Sequence, residues 1–375
     1  MASGPRAITS HRRVTYLALR PDAREHERAT QRGVADRLAA LLGCPCDEVS
    51  GIAAASTLDL GYLVPDVTIG SLETARTLGI RGEEDLFGGV VPFPFVATKT
   101  ITHPLIGPGA AAPPGWQAKF PERVRDVVLP GWSAFSVGDA RAAGRRVLQH
   151  GDVRVKLASG IGGSAQTVAR SAAELDAQLA AIDPAEIADG VVVEPNLVDV
   201  RTWSVGQVRV GSLLASYVGT QRTTPSRHGK EVYGGSSIEV VRGGFEALER
   251  LALADGALNA IGKARAYHDA ALACFTGMFA SRCNYDVAQG RDAAGRACVG
   301  VLEQSWRLGG ASGAEVAALA ALQEDPARQS VRASTTEVHA AGVPVPPGAT
   351  LYFCGVDDHL GPITKYAQVH RDGLS

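Results

Sequence analysis

Lys156 stands directly before a run of small residues, Ser159-Gly160-Ile161-Gly162-Gly163-Ser164. Glycines let backbone N–H groups close on an anion, and a lysine adds a compact charge. The run is not a Walker A loop, because no Gly-Lys-Ser/Thr follows the glycines. Nor does it complete a Rossmann fingerprint, since Ala165 holds the third glycine position. Thr167-Val168-Ala169 reads as a strand, so the run is expected at a hairpin tip, as either a phosphate lid or an ordinary turn.

Two further groups carry chemistry. The apolar strand Val191-Val192-Val193 ends in Glu194 and then Pro195, which cannot continue a sheet ladder. Backbone groups freed between Val193 and Leu197 suit the edge of an adenine ring; the alternative is a solvated strand end. The third group is a hairpin, with Asn284-Tyr285-Asp286 on one strand, a turn holding Gly290, Asp292 and Gly295, and Val299 to Gly310 beyond it. Alternate strand residues share a face, so Glu303, Ser305 and Arg307 point one way, and Asn284 and Asp286 share a face of the partner strand. Oxygen ligands beside a cation suit Mg²⁺ held jointly with substrate phosphates. The alternative is a polar hairpin face in water, against which the apolar Val299, Val301 and Leu302 argue.

These groups need a scaffold that brings distant segments together. The first segment has a βαβα rhythm: a strand at Val14 to Leu19, a helix ending before Gly43, then Tyr62 to Pro65, and a short helix from its N-cap Ser71 to Leu78. Cys44-Pro45-Cys46 reads as a loop pair after the first helix, and the linker-like stretch from Gly107 to Gly115 sets the first boundary. Helices follow at Ser136 to Leu148 and Ser171 to Ile182, the second with Glu174 completing a capping box. Strands are expected at Val205–Val210 and Leu213–Val218, and a long helix from Phe245 to Met278. The Gly-rich stretch from Gly219 to Ser236, containing Arg222, Arg227, His228 and Lys230, is either a substrate loop or a surface loop.

Composition narrows the classes. A net charge of −2 with 45% hydrophobic and 20% charged residues excludes global disorder and argues against a dedicated nucleic-acid or anionic-membrane binder. No apolar run of about 18 residues exists, so no membrane partner is expected. Six cysteines without metal spacing, and a start without an apolar leader, point to a reducing cytoplasm. Of 37 basic residues only six are lysines, at positions 99, 119, 156, 230, 263 and 365. Codon bias accounts for that total but not for the position of Lys156.

The order of these groups resembles the ATP-grasp superfamily of ATP-dependent carboxylate ligases, in particular a bacterial branch known as a domain of unknown function. The resemblance spans roughly Lys119 to Gly313 and implies an α/β (α+β) fold. It implies an N-terminal α/β domain over residues 1–112, a central lid domain over 113–196 and a C-terminal core over 197–375 with a Mg-binding hairpin. ATP would be bound by Lys119, Lys156, Gly160, Gly162, Gly163, Ser164, Val193, Glu194 and Leu197, with Lys99 the rival for the first lysine. Mg²⁺ would be held by Asp286, Glu303 and Ser305, with Asn284 a rival for the aspartate position. Arg307 and Lys156 would stabilise the transferring phosphoryl group, and Arg282 would hold a substrate carboxylate. The partners implied are a small-molecule carboxylate and an amine (or thiol), and a homodimer is compatible. Ser305 replaces the family's asparagine, and no clear acid follows the hinge for the ribose. A nucleotide binder without ligase activity therefore stands as the alternative, with a dinucleotide enzyme behind it.

Overall fold

A computed structural model describes residues 11–160, 165–225, 229 and 231–370. Near the N-terminus, strands Cys46–Ser50, Val14–Ala18 and Tyr62–Pro65 form a parallel sheet with Val14–Ala18 in the middle. The connecting helix Glu25–Leu42 ends at Gly43, whose left-handed backbone (φ 69°) donates to the Ala39 and Ala40 carbonyls. Cys46 opens a strand rather than a loop; its sequence, Cys-Asp-Glu-Val-Ser, has no apolar run to announce it. Ser71 caps the helix Leu72–Thr77 by accepting from Glu73 and Thr74 N–H.

The centre of the molecule is an eight-stranded sheet. In spatial order its strands are Ala297–Ser305, Arg282–Arg291, Val198–Val210, Leu213–Pro225, Glu231–Arg242, Ser330–Val338, Gly361–His370 and Thr350–Asp357, every neighbour antiparallel. One face packs on the helix Asp255–Cys274 through Trp203, Val205, Val218, Val241, Tyr285 and Trp306. The other packs on Glu25–Leu42 and Ser312–Glu324 through Val208, Val210, Ala215, Tyr217, Ile238 and Val240. The long helix expected from Phe245 is two pieces, Phe245–Leu248 and Asp255–Cys274. The Gly-rich stretch after Gly219 is mostly strand: it continues to Pro225 and resumes at Glu231. Arg227, His228 and Lys230 lie outside the described residues.

A smaller antiparallel sheet has the order Trp132–Ala134, Val191–Pro195, Val153–Leu157, Gln166–Ala169. Helices Val137–Leu148 and Ala172–Ala180 cover one face of it, burying Ala140, Val147, Leu175 and Leu179 against Val153, Val155, Val191 and Val193. Ser171 caps the second helix by accepting from Glu174 N–H, but the Glu174 carboxylate accepts from Arg170 N–H, so the expected capping box is displaced by one residue. The stretch from 107 to 115 is irregular. Beyond it, the short helix Lys119–Val124 packs not on the small sheet but on the central helix, with the Phe120 ring 5.1 Å from that of Tyr267. Among the described residues no helix is long and apolar enough to cross a membrane.

Candidate active site

The edge hairpin of the large sheet forms the floor. Asn284 lies opposite Ser305, and Asp286 opposite Glu303. A bulge follows at once, since Val287 pairs with Val301 and leaves Leu302 unmatched. That extra residue changes the phase of the strand. Before it, Val299 and Val301 face the core; after it, Gln304 and Trp306 do. Without the bulge Glu303 would point into the core. With it, Glu303, Ser305 and Arg307 are all half-buried on the side opposite Trp306, beside Asn284 and Asp286.

Burial and the facing Glu303 push the Asp286 carboxyl up to about 6, against hydrogen bonds from Asn284 Nδ2 (3.0 Å) and Gln221 Nε2 (2.8 Å) that favour its charge. Two facing carboxylates of this kind call for a cation. Among the described residues no group of three or more His, Cys, Asp or Glu side chains could hold a metal. The two carboxylates offer oxygen ligands of the type a hard divalent ion takes, but too few to cage one alone. Ser305 Oγ accepts from Arg282 Nη1 at 3.3 Å, and Asn284 Oδ1 accepts from Ser204 Oγ at 2.6 Å.

Lys99 supplies a cation at this floor. It opens the single turn Lys99–Ile101, is 4% exposed, and places Nζ 2.9 Å from Glu303 Oε2 and 2.5 Å from the Gly160 carbonyl. The turn is fixed by Gln304, whose Nε2 donates to the Val96 and Thr98 carbonyls (3.1 and 2.6 Å) and whose Oε1 accepts from Tyr267 OH (3.0 Å). Lys119 is exposed at the start of its helix. The lysine at the carboxylates is thus Lys99, the rival candidate, while the preferred Lys119 makes no ion pair with them among the described residues. Nothing local distinguishes the two; the deciding contact is with Gln304, about 200 residues away in sequence.

Lys156 and Glu194 form a second pair inside the small sheet. Lys156 Nζ binds Glu194 Oε1, with the residues 3% and 2% exposed. His103, 1% exposed, puts Nε2 3.5 Å from the other carboxylate oxygen. Burial alone would raise the Glu194 carboxyl, but Lys156 and His103 outweigh it and hold it at about 2. Glu194 is therefore not a solvated strand end. Val193 is buried in the ladder between Trp132 and Val155. Leu197 packs with Leu129, Ala288, Cys298 and Leu302, an apolar patch between the small sheet and the floor.

The strands around the glycine run pair antiparallel, Lys156 opposite Gln166, so the run is a hairpin tip. Gly160 is buried, and Ala165 closes the tip in the left-handed region (φ 53°), its carbonyl accepting from Leu157 N–H. Gly162, Gly163 and Ser164 lie outside the described residues. A strand rather than a helix follows the run, which removes the dinucleotide-enzyme reading.

Arg282 is a further correction. It is 1% exposed, and Nε and Nη2 donate to the two carboxylate oxygens of the fully buried Glu315 at 3.1 and 2.7 Å. Nη1 donates to the Ser305 and Arg307 carbonyls. Its guanidinium braces the floor instead of waiting for a substrate carboxylate. Arg307 is the opposite case: half-buried, donating to the Leu308 carbonyl at 2.7 Å, with no carboxylate partner among the described ion pairs. Burial and the neighbouring Arg282 push its guanidinium down from the usual arginine value. A cavity of about 880 Å³ lies elsewhere, lined by Arg37, Glu239, Arg332 and His370 among others, and touches none of these groups.

The chain belongs to the family described as "Protein of unknown function (DUF3182)", whose match runs over residues 14–367. No curated protein matches it. Among solved structures it is similar to D-alanyl-alanine synthetase A from Vibrio cholerae O1 biovar eltor (TM-score 0.44, 11% identity, covering 79% of this chain and 89% of that one). It is similar also to D-alanine–D-alanine ligase from Bacillus anthracis (TM-score 0.47, 13% identity, 80% and 87%). The figures for D-cycloserine synthetase DcsG are a TM-score of 0.45, 13% identity, and 79% and 92%.

Proposed function

We propose that this member of the family is an ATP-grasp ligase, which uses ATP and Mg²⁺ to activate a substrate carboxylate as an acylphosphate and joins it to an amine (or thiol), releasing ADP and phosphate. One observation carries the reading: two lysine–glutamate pairs, Lys99–Glu303 on the floor and Lys156–Glu194 in the small sheet, are joined by the bond from Lys99 to Gly160 at the root of the glycine run. In this reading the small sheet is a lid, and the apolar patch of Leu197, Ala288 and Leu302 takes the base. Lys99 and Lys156 neutralise the phosphates. Asp286 and Glu303 would hold Mg²⁺, which would supply positive charge to offset that developing on the phosphates. Arg307, with no carboxylate partner among the described ion pairs, stabilises the transferring phosphoryl group. The work is positioning and electrostatics rather than covalent chemistry by the protein.

The test is ADP release by the purified chain with ATP, Mg²⁺ and a mixture of carboxylates and amines. Lys156→Ala and Glu303→Ala should each lower it by about 100-fold or more. Unchanged turnover in both variants overturns the reading. The hydrogen bond from Arg282 to Ser305 Oγ, which weakens the third metal position, favours a second reading: a nucleotide binder without turnover. That reading expects heat of ATP binding in calorimetry and no ADP from any substrate mixture.

A further inference from the structure

His103 belongs to no group picked out by the sequence, yet its surroundings are unusual. It lies on the segment that carries Lys99, and its ring is wedged under the small sheet. A Cβ on Gly131 would come within 3.1 Å of His103 Nε2 and 2.9 Å of the Val193 carbonyl, so glycine there makes room for the ring. The segment is stitched to the sheet by Ser133 N–H donating to the Pro104 carbonyl at 2.9 Å. Both ring nitrogens of His103, Glu194 Oε2 and Ser133 Oγ are buried without a hydrogen-bond partner. Such groups are costly to leave unsatisfied.

The charges around the ring are few. Glu194 faces it from the strand Val191–Pro195, and Lys156 stands behind Glu194 from Val153–Leu157. The strand Trp132–Ala134 brings only Ser133. Lys99, on the histidine's own segment, is turned away to Glu303. Glu194 therefore has two neighbours able to neutralise it. One of them, Lys156, is the group a nucleotide phosphate would draw away, and a carboxylate buried to 2% exposure cannot be left alone at tolerable cost.

We propose that His103 is the exchange partner of Glu194: when nucleotide binding draws Lys156 onto phosphate, His103 closes on the vacated carboxylate and takes up one proton from solvent. The inference rests on the nucleotide reading above. His103 is a positioning residue, acting through Glu194 rather than on the reacting atoms. Binding is thereby coupled to proton uptake, and affinity falls as pH rises.

The experiment is calorimetry of the full chain with Mg²⁺ and a non-hydrolysable ATP analogue, in buffers of differing ionisation enthalpy. At about pH 7.5 the wild-type chain should take up about one proton more than His103→Gln, which lacks a titratable ring. Over the next pH units its affinity should fall by up to about tenfold per unit more steeply than the variant's. A histidine that only packs would lower thermal stability without changing the proton count. Should His103→Gln fail to fold, Glu194→Gln replaces it: with no charge to neutralise, the extra proton disappears. Equal proton uptake in wild type and variant overturns the proposal. Analogue binding without the extra proton overturns it alone, whereas absence of any binding overturns the nucleotide reading together with it.

Discussion

The two lysine–glutamate pairs have the same chemistry in different surroundings. Lys156–Glu194 is sealed, with both side chains at most 4% exposed and His103 on the far oxygen. Lys99–Glu303 opens to solvent on its carboxylate side, where Glu303 is 30% exposed. In the sealed pair the two charges are shielded from water and neutralise one another. In the open pair only the carboxylate reaches solvent; Lys99 is as buried as Lys156 and is held also by the Gly160 carbonyl. One side of the site is thus closed to water, the other open at its carboxylate.

The sharpest way to break this comparison is truncation. Glu194→Ala should cost about 3–5 kcal/mol in urea unfolding, because it strands a buried ammonium, whereas Glu303→Ala should cost less, because the equally buried Lys99 keeps the Gly160 carbonyl and the carboxylate removed is 30% exposed. Equal costs would mean that the two pairs are not differently housed. Acid titration comes next. Glu194 has a depressed folded value, so its stabilisation is full above the unfolded carboxyl value of about 4.3 and is lost as pH falls toward 2. Asp286 has the opposite sign. Its folded value is raised to about 6, so the stability it contributes is present below the unfolded value of about 3.9 and is lost as pH rises through 6. Asp286→Asn should remove that loss in metal-free buffer, and Mg²⁺ should reduce it in the wild-type chain. Unfolding curves that keep the same pH slope in the variant would refute the assignment. The smallest effect belongs to Lys119→Ala, which should leave stability within about 0.5 kcal/mol and ADP release unchanged. A loss of turnover comparable to that of Lys99→Ala would reverse the order given to the two lysines.

What the sequence made legible was local. Alternation put Glu303, Ser305 and Arg307 on one face, and the structure keeps them there, since the bulge at Leu302 shifts the phase before Glu303 and not within the set. The caps at Ser71 and Ser171 were readable because each bonds a backbone N–H within three residues. The rest depends on distance. Lys99 outranks Lys119 through Gln304, and Arg282 is committed through Glu315, neither detectable from spacing. The three last strands of the large sheet were missed because segments such as Ser330–Val338 are rich in Ser and Thr and bury only part of one face. The Lys156–Glu194 contact joins two strands whose pairing is non-local.

The segment around His103 also limits how the small sheet can move. Thr102 Oγ1 lies 3.0 Å from Tyr267 OH on the central helix, while the Pro104 carbonyl is held by Ser133 of the small sheet. Between those two anchorages runs one residue, about 7 Å of chain at full extension. So short a tether allows almost no translation of one body away from the other. The small sheet can only swing about this point, and a swing displaces each atom in proportion to its distance from the axis. His103, between the two anchorages, moves least in such a swing.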